Sequence, residues 1–288
     1  MAFFQERIKK SYDSVLLPVV FQEEDRGFAK CCELLLVLAG AGADTETWKN
    51  DVTSAWLLLS DPADTFTFEL FNDNGDVTVY VPTIEAFPNQ ANAFFTTIEW
   101  KDVLVSDGEG CYELKVVYNI GGLDGAFTWG QYKLEQYSIK NALETARIKC
   151  LFNMNQSIEG INFTGSNVED HIRFNGQIRK DQSNMEINNL IYNDRKIKTV
   201  VNENLPTFLI TTDPYTDEIL RKFTDLYLLS ANEMFISDYN AHTSSYRIND
   251  VAVTIKDSPE KALPDKYSRF EVLTCIVTKR VADDRTYY

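Results

Sequence analysis

The 288 residues are 44% hydrophobic and 25% charged, ordinary globular usage that supplies a real core and argues against disorder. With 43 Asp and Glu against 28 Lys and Arg, the formal net charge is −15. That balance repels phosphate backbones and anionic lipid, which counts against nucleic-acid and peripheral-membrane binding.

The length suits one large domain or two ordinary ones. The first residues mix Phe3, Phe4, Ile8, Leu16 and Leu17 with charges and contain no apolar core of a signal peptide. They read as an N-terminal assembly arm, 1–27, on a protein made in a cytosol. The most apolar run, Leu34 to Ala43, is too short to span a bilayer. Five cysteines (Cys31, Cys32, Cys111, Cys150 and Cys275), odd in number and without a C-x-x-C pair, read as reduced and mostly buried thiols.

Alternation with period two dominates from Thr65 onward. Phe66, Phe68 and Leu70 alternate with polar residues, Asn72 to Asp76 form a turn, and Val77, Val79 and Val81 alternate again, which predicts a hairpin. A second hairpin is expected from Ala93–Val105 through a turn at 106–110 to Tyr112, Leu114, Val116, Tyr118 and Ile120. Gly121 to Gly125 read as a turn rather than a phosphate loop. A domain boundary falls near 136–144, dividing 28–140 from 141–288.

In the second half, Ala146, Ile148, Cys150, Phe152 and Met154 share a strand face, as do Ile172, Phe174 and Ile178. Further strands are expected at 184–192, 196–202, 206–211, 233–239, 246–255 and 269–279. One segment changes period: Asp213-Pro214 suits a helix start, and Tyr215, Ile219, Phe223, Leu226 and Tyr227 follow helical spacing. The expected fold is therefore mostly β, two closely packed β-sandwich or open-barrel domains with one short helix near 214–227.

Candidate chemistry is sparse. Only His171, beside Asp170, and His242 could act as a base, and neither accompanies a nucleophile signature. Asn72, Asp73, Asn74 and Asp76 suggest a calcium loop, but the twelfth-position Glu and the flanking helices are missing. Trp48, Trp56, Trp100 and Trp129 could line a sugar-binding face, although such residues more often fill cores. A glycosidase-like carboxylate pair needs a separation that sequence does not supply. Arg179-Lys180 and Arg195-Lys196-Ile197-Lys198 read as edge-strand or interface residues. No catalytic, cofactor or metal site is expected, and the chain reads as a non-enzyme.

Several strings carry a resemblance: Ala86-Phe87-Pro88-Asn89-Gln90-Ala91-Asn92-Ala93-Phe94, Gly108-Glu109-Gly110-Cys111-Tyr112, the stretch from Ile158 to Val168, and Glu233 to Asn240, with the charged terminus Arg280 to Tyr288. They resemble a family of tail, neck or baseplate structural proteins from phages and prophages of Bacteroides-like bacteria, including crAss-like phages. The resemblance runs from about residue 55 to the end and contains no catalytic motif. It implies a virion component, a ring or hub subunit of the tail or neck. Its partners would be copies of itself and neighbouring tail or neck proteins, and packaged DNA would pass through a channel without specific binding. The alternative is a carbohydrate-binding or receptor-binding β-sandwich module, and a third reading is a glycan hydrolase.

Overall fold

The computed structural model describes residues 8–10, 35–40, 49–59, 64–120, 123–153, 160–180, 184–191, 197–216, 220, 223–228, 231, 233–240, 245–262, 270–280 and 283–284. The protein is mostly β, as the alternation predicts.

The first half builds two facing four-stranded sheets. One holds β1 (Ile8–Lys10), β3 (Val52–Leu59), β6 (Gln90–Glu99) and β5 (Ile84–Phe87), in that order. The other holds β2 (Leu35–Ala39), β8 (Leu123–Gln136), β7 (Gly110–Ile120) and β4 (Thr65–Asn72). β2 runs parallel to β8, and the other pairings are antiparallel. Large rings fill the space between them: Trp56 of β3 meets Trp129 of β8 at 5.9 Å, and Phe66 of β4 meets Phe94 of β6 at 5.0 Å. Offset and edge-on contacts of this kind add to the burial of large apolar area.

The second half is a six-stranded antiparallel barrel. Its wall runs β13 (Thr207–Thr212), β10 (Val168–Lys180), β9 (Thr145–Phe152), β15 (Glu233–Asn240), β16 (Ser245–Ile255) and β18 (Phe270–Lys279), and β18 closes on β13. Closure removes the free strand edges that invite uncontrolled pairing. Short strands β14 (Tyr215–Thr216) and β17 (Glu260–Ala262) add to β18. Ala146, Ile148, Cys150 and Phe152 are all buried, as are Ile172, Phe174 and Ile178, as the alternation predicts; Met154 lies outside the described residues. The two halves are joined by α2 (Ile139–Glu144), capped by the Ser138 hydroxyl accepting from the Asn141 N–H at 3.2 Å. β3 packs directly on β10.

β11 (Asn184–Ile191) and β12 (Ile197–Leu205) form a sheet of their own, apart from the barrel. Asn184 pairs with Leu205 and Ile191 with Ile197 in an antiparallel ladder with one irregularity after Asn188. With eight residues in β11, this ribbon is about 27 Å long at roughly 3.4 Å per residue. Among the described residues only β19 (Asp283–Asp284) pairs with it, through β12.

Four expectations need correction or closer definition. The Asn72–Asp76 turn exists, but Val77–Val81 does not pair along β4. Only Phe71 and Val77 form a bridge, and the N–H groups of Val79 and Tyr80 go to the Asp107 carboxylate instead of to β4. The second hairpin is absent. β6 ends at Glu99, and α1 (Trp100–Ser106) follows, burying Trp100 and Val103 one helical turn apart. β7 then pairs with β4 and β8 instead of β6. The predicted helix start at Asp213-Pro214 is extended, with Tyr215 and Thr216 paired to β18. Helical structure comes later, as a π-helical turn at Phe223–Leu228 whose Phe223 ring meets Phe174 edge-on at 5.1 Å. Of the expected arm, 1–27, residues 8–10 pair with β3 of their own chain, and the remainder lies outside the described residues.

Candidate functional site

The densest chemistry lies where the first half meets the barrel. Asp51, just before β3, is 1% exposed and is reached from three strands. Arg173 of β10 donates from Nε to Oδ2 at 2.6 Å and from Nη2 to Oδ1 at 2.9 Å. The Leu38 N–H of β2 donates to Oδ2 at 2.8 Å. Arg147 of β9 sits 3.6 Å from Oδ1, while its Nη1 donates to the Asn50 carbonyl and its Nη2 to Asp250 Oδ1 at 2.9 Å. Asp250 adopts a left-handed φ of 44°, a conformation Asp tolerates better than most residues, and its carboxylate also accepts from the Ser237 hydroxyl.

His171 and Asp170 extend the cluster. The Val52 N–H donates to His171 Nδ1 at 3.0 Å, and His171 Nε2 lies 2.8 Å from Glu169 Oε1. This assigns the tautomer with hydrogen on Nε2. Asp51 Oδ1 is 3.8 Å from Nδ1, too far for a hydrogen bond. The Ser54 N–H donates to Asp170 Oδ1 at 3.1 Å, and its hydroxyl donates to the Glu169 carbonyl at 2.7 Å. The histidine is therefore locally satisfied and serves as a strap between β3 and β10.

Burial alone would raise the carboxyl of Asp51. Arg173, the hydrogen bonds and Arg147 outweigh it and hold Asp51 far below the usual carboxylate range. Burial also pushes on Glu169, but the His171 hydrogen bond prevails and lowers it. Both groups stay ionised, so neither is poised to exchange a proton near neutral pH. The arrangement fastens two bodies and offers no activated nucleophile.

A second seam lies beside it. The string Ala86–Phe94 packs against residues 160–168, the described part of the string that begins at Ile158. Gln90 accepts from the Asn162 N–H at 3.0 Å and donates to the Gly160 carbonyl at 3.0 Å. Asn89 donates to the Thr164 carbonyl at 2.7 Å. Beneath these amides the Phe163 ring meets Phe87 at 5.1 Å and Trp56 at 5.4 Å. These contacts help close the sandwich against the barrel.

The other sequence candidates are dispersed. Trp56, Trp100 and Trp129 are buried, so none can stack on a sugar; Trp48 lies outside the described residues. The Asn72 side-chain carbonyl accepts from the N–H groups of Asn74 at 3.0 Å and Asp76 at 2.9 Å, so the turn is closed by its own backbone. Among the described residues no three His, Cys, Asp or Glu side chains come together to hold a metal. Arg179 bonds Gln177, Lys180 ends β10, and Ile197-Lys198 begin β12, whereas Arg195, Lys196 and His242 lie outside the described residues. Cys150 and Cys275 are buried thiols, as expected, but Cys111 is disulfide-bonded, which corrects the reading of all five as reduced. Among the described residues no helix is long and apolar enough to cross a membrane.

Sequence reasoning missed Arg147 and Arg173 because they alternate with the apolar faces of β9 and β10, on the side expected to be polar, and it did not single out Asp51. It also missed a stripe of exposed valines. Val77, Val79 and Val81 are 56%, 76% and 75% exposed, on a segment held to the body by the Asp107 carboxylate, which accepts from the N–H groups of Val79 at 2.6 Å and Tyr80 at 3.0 Å. Val105, in the last turn of α1, is 71% exposed, and Ile84 of β5 is also exposed. No protein-family model matches the sequence, and no curated protein matches it either.

Proposed function

We propose that this protein is a structural assembly subunit of a phage virion, a ring or hub component of the tail or neck that joins copies of itself and neighbouring virion proteins. The observation that carries this reading is the β11–β12 ribbon. Its sheet, β11, β12 and the two-residue β19, is separate from the barrel's, and so small a sheet is marginal in water and gains stability from a surface to lie against. The strings quoted above, with their resemblance to tail and neck proteins, supply the virion setting. The role is non-enzymatic: the most concentrated charges, Asp51, Arg147, Arg173 and His171, are spent on one another inside the body. The net charge of −15 suits a channel wall past which DNA moves without sticking. The alternative of a sugar-binding module has less support, because the described tryptophans are interior.

Negative-stain electron microscopy and mass photometry of the purified chain test the reading. Closed rings of one copy number are expected, as are portal, capsid and tail genes beside its own. A chain that stays monomeric at high concentration and binds a glycan array would overturn it.

A further inference from the structure

The exposed valines sit in a charge field of one sign. From Glu69 to Glu109 the sequence holds eight acidic residues and one basic residue, Lys101. Of these acids Asp73, Asp76, Glu99, Asp102 and Glu109 are exposed, and the fold gathers several of them at the valines. Asp107, just past α1, accepts from the N–H groups of Val79 and Tyr80, which brings the last turn of α1, with Val105, to the stripe. Tyr80 stands between Val79 and Val81. Burial raises its phenol, and the charges of Asp102 and Glu99 raise it further. Burial, then Asp107 and Asp73, push Tyr112 up to about 12. Acids from the turn after β4, from the end of β6 and from α1 therefore converge around one apolar surface.

An exposed apolar patch with a charged rim has the makeup of a docking surface. A rim of one sign repels an acidic partner and favours a basic one. Two copies pressed together through this patch would set like charge on like charge. Nor do the described residues offer a complementary surface elsewhere on the chain. Ile139 and Leu143 of α2 are also exposed, but Lys140 and Glu144 beside them cancel. The exposed Lys256 and Lys261 stand next to the exposed Asp257 and Glu260, and Arg280 is paired with Glu233 at 2.8 Å. Charge complementarity thus points to a different protein.

We propose that the stripe Val77, Val79 and Val81, with Val105, is the docking surface for an apolar, basic segment of a neighbouring protein that is not a copy of this chain. This rests on the assembly reading above and names the chemistry of one partner. The valines supply the apolar contact, and the acids around them select a cationic segment and speed its approach. The contact weakens as salt rises, because the acids named are exposed.

Fluorescence anisotropy on the full chain tests this with a short labelled peptide that alternates valine and lysine. One control peptide replaces the valines with serine, and another replaces the lysines with glutamate. The valine–lysine peptide should bind about tenfold or more tightly than either control, a comparison that needs only the wild type. Val79→Ser with Val81→Ser removes apolar area at constant charge, and Asp76→Asn with Asp102→Asn removes charge at constant apolar area. Unchanged circular dichroism and melting temperature establish that both variants are folded, and each should bind the peptide about tenfold more weakly. A peptide held no better than its serine control, or held equally by the serine variant, would overturn the proposal. Wild-type assemblies that come apart in the serine variant, followed by sedimentation velocity, would assign the stripe to a second copy and also overturn it. A wild type that stays monomeric yet binds the peptide through the stripe would overturn the ring reading and leave the docking surface standing.

Discussion

Arg173 and Asp51, 122 positions apart in sequence, form a two-point ion pair, Nε to Oδ2 at 2.6 Å and Nη2 to Oδ1 at 2.9 Å. Both side chains are 1% exposed. The planar guanidinium matches both carboxylate oxygens at once, which fixes the angle between β10 and the start of β3 as well as their distance. Removing one member strands a buried charge. Asp51→Asn should therefore cost about 3–5 kcal/mol in urea denaturation, whereas Asp51→Leu with Arg173→Met together should cost less than the two singles summed. A single-variant cost under about 1 kcal/mol would place the pair in a solvated setting and contradict this assignment.

Acid should loosen the same junction. Asp51 is held far below the ordinary carboxylate range in the folded chain, so the unfolded chain takes up its proton first. The stability this group contributes is complete above about pH 5 and is lost as pH falls through about 4 towards the folded value. Unfolding free energy measured from pH 7 to pH 3 should fall steeply below pH 5, and Asp51→Asn should flatten that slope. Equal slopes in wild type and variant would assign the acid sensitivity to other carboxylates.

The Asn72 turn should be independent of metal. Its side-chain carbonyl already accepts two backbone N–H groups, and Gly75 sits at a φ of +81°. Melting curves with and without a chelator should coincide. Gly75→Ala should lower stability by about 1–2 kcal/mol, the cost of a β-carbon in the left-handed region, with open space around it ruling out a clash. A melting point that drops on chelation would assign a cation to these carboxylates.

Thiol chemistry separates the cysteines. Burial, and then the nearby Asp170, raises the Cys150 thiol well above its ordinary value, and burial raises Cys275 to about 11. Both should label slowly with iodoacetamide in the native protein and rapidly in denaturant. A disulfide at Cys111 takes two of the five cysteines, so unreduced, denatured protein should titrate three thiols. Five thiols in oxidised protein would remove the disulfide.

Which parts of this were legible in the sequence follows from how locally each is determined. The strand faces of Ala146 to Phe152 and Ile172 to Ile178 were legible because one barrel wall buries them in strict alternation. The polar face opposite was misjudged for one reason: β3 covers it, and Arg147, His171 and Arg173 become interior through a partner more than 90 positions away. The valine hairpin was misread because alternation reports a face and not a neighbour, and after the Phe71–Val77 bridge the N–H groups of Val79 and Tyr80 turn to Asp107. In Trp100–Ser106 a run of seven residues with two buried positions is too short to distinguish strand from helix by period. That β11 and β12 form a sheet apart from the barrel, with the distant β19 as its third strand, is contained in no local pattern.

The single residue between β12 and β13, Pro206, has a mechanical consequence. A pull on β12 enters the barrel wall through β13. Load along β13 shears its ladders to β10 and β18, which must yield their hydrogen bonds together and not one pair at a time.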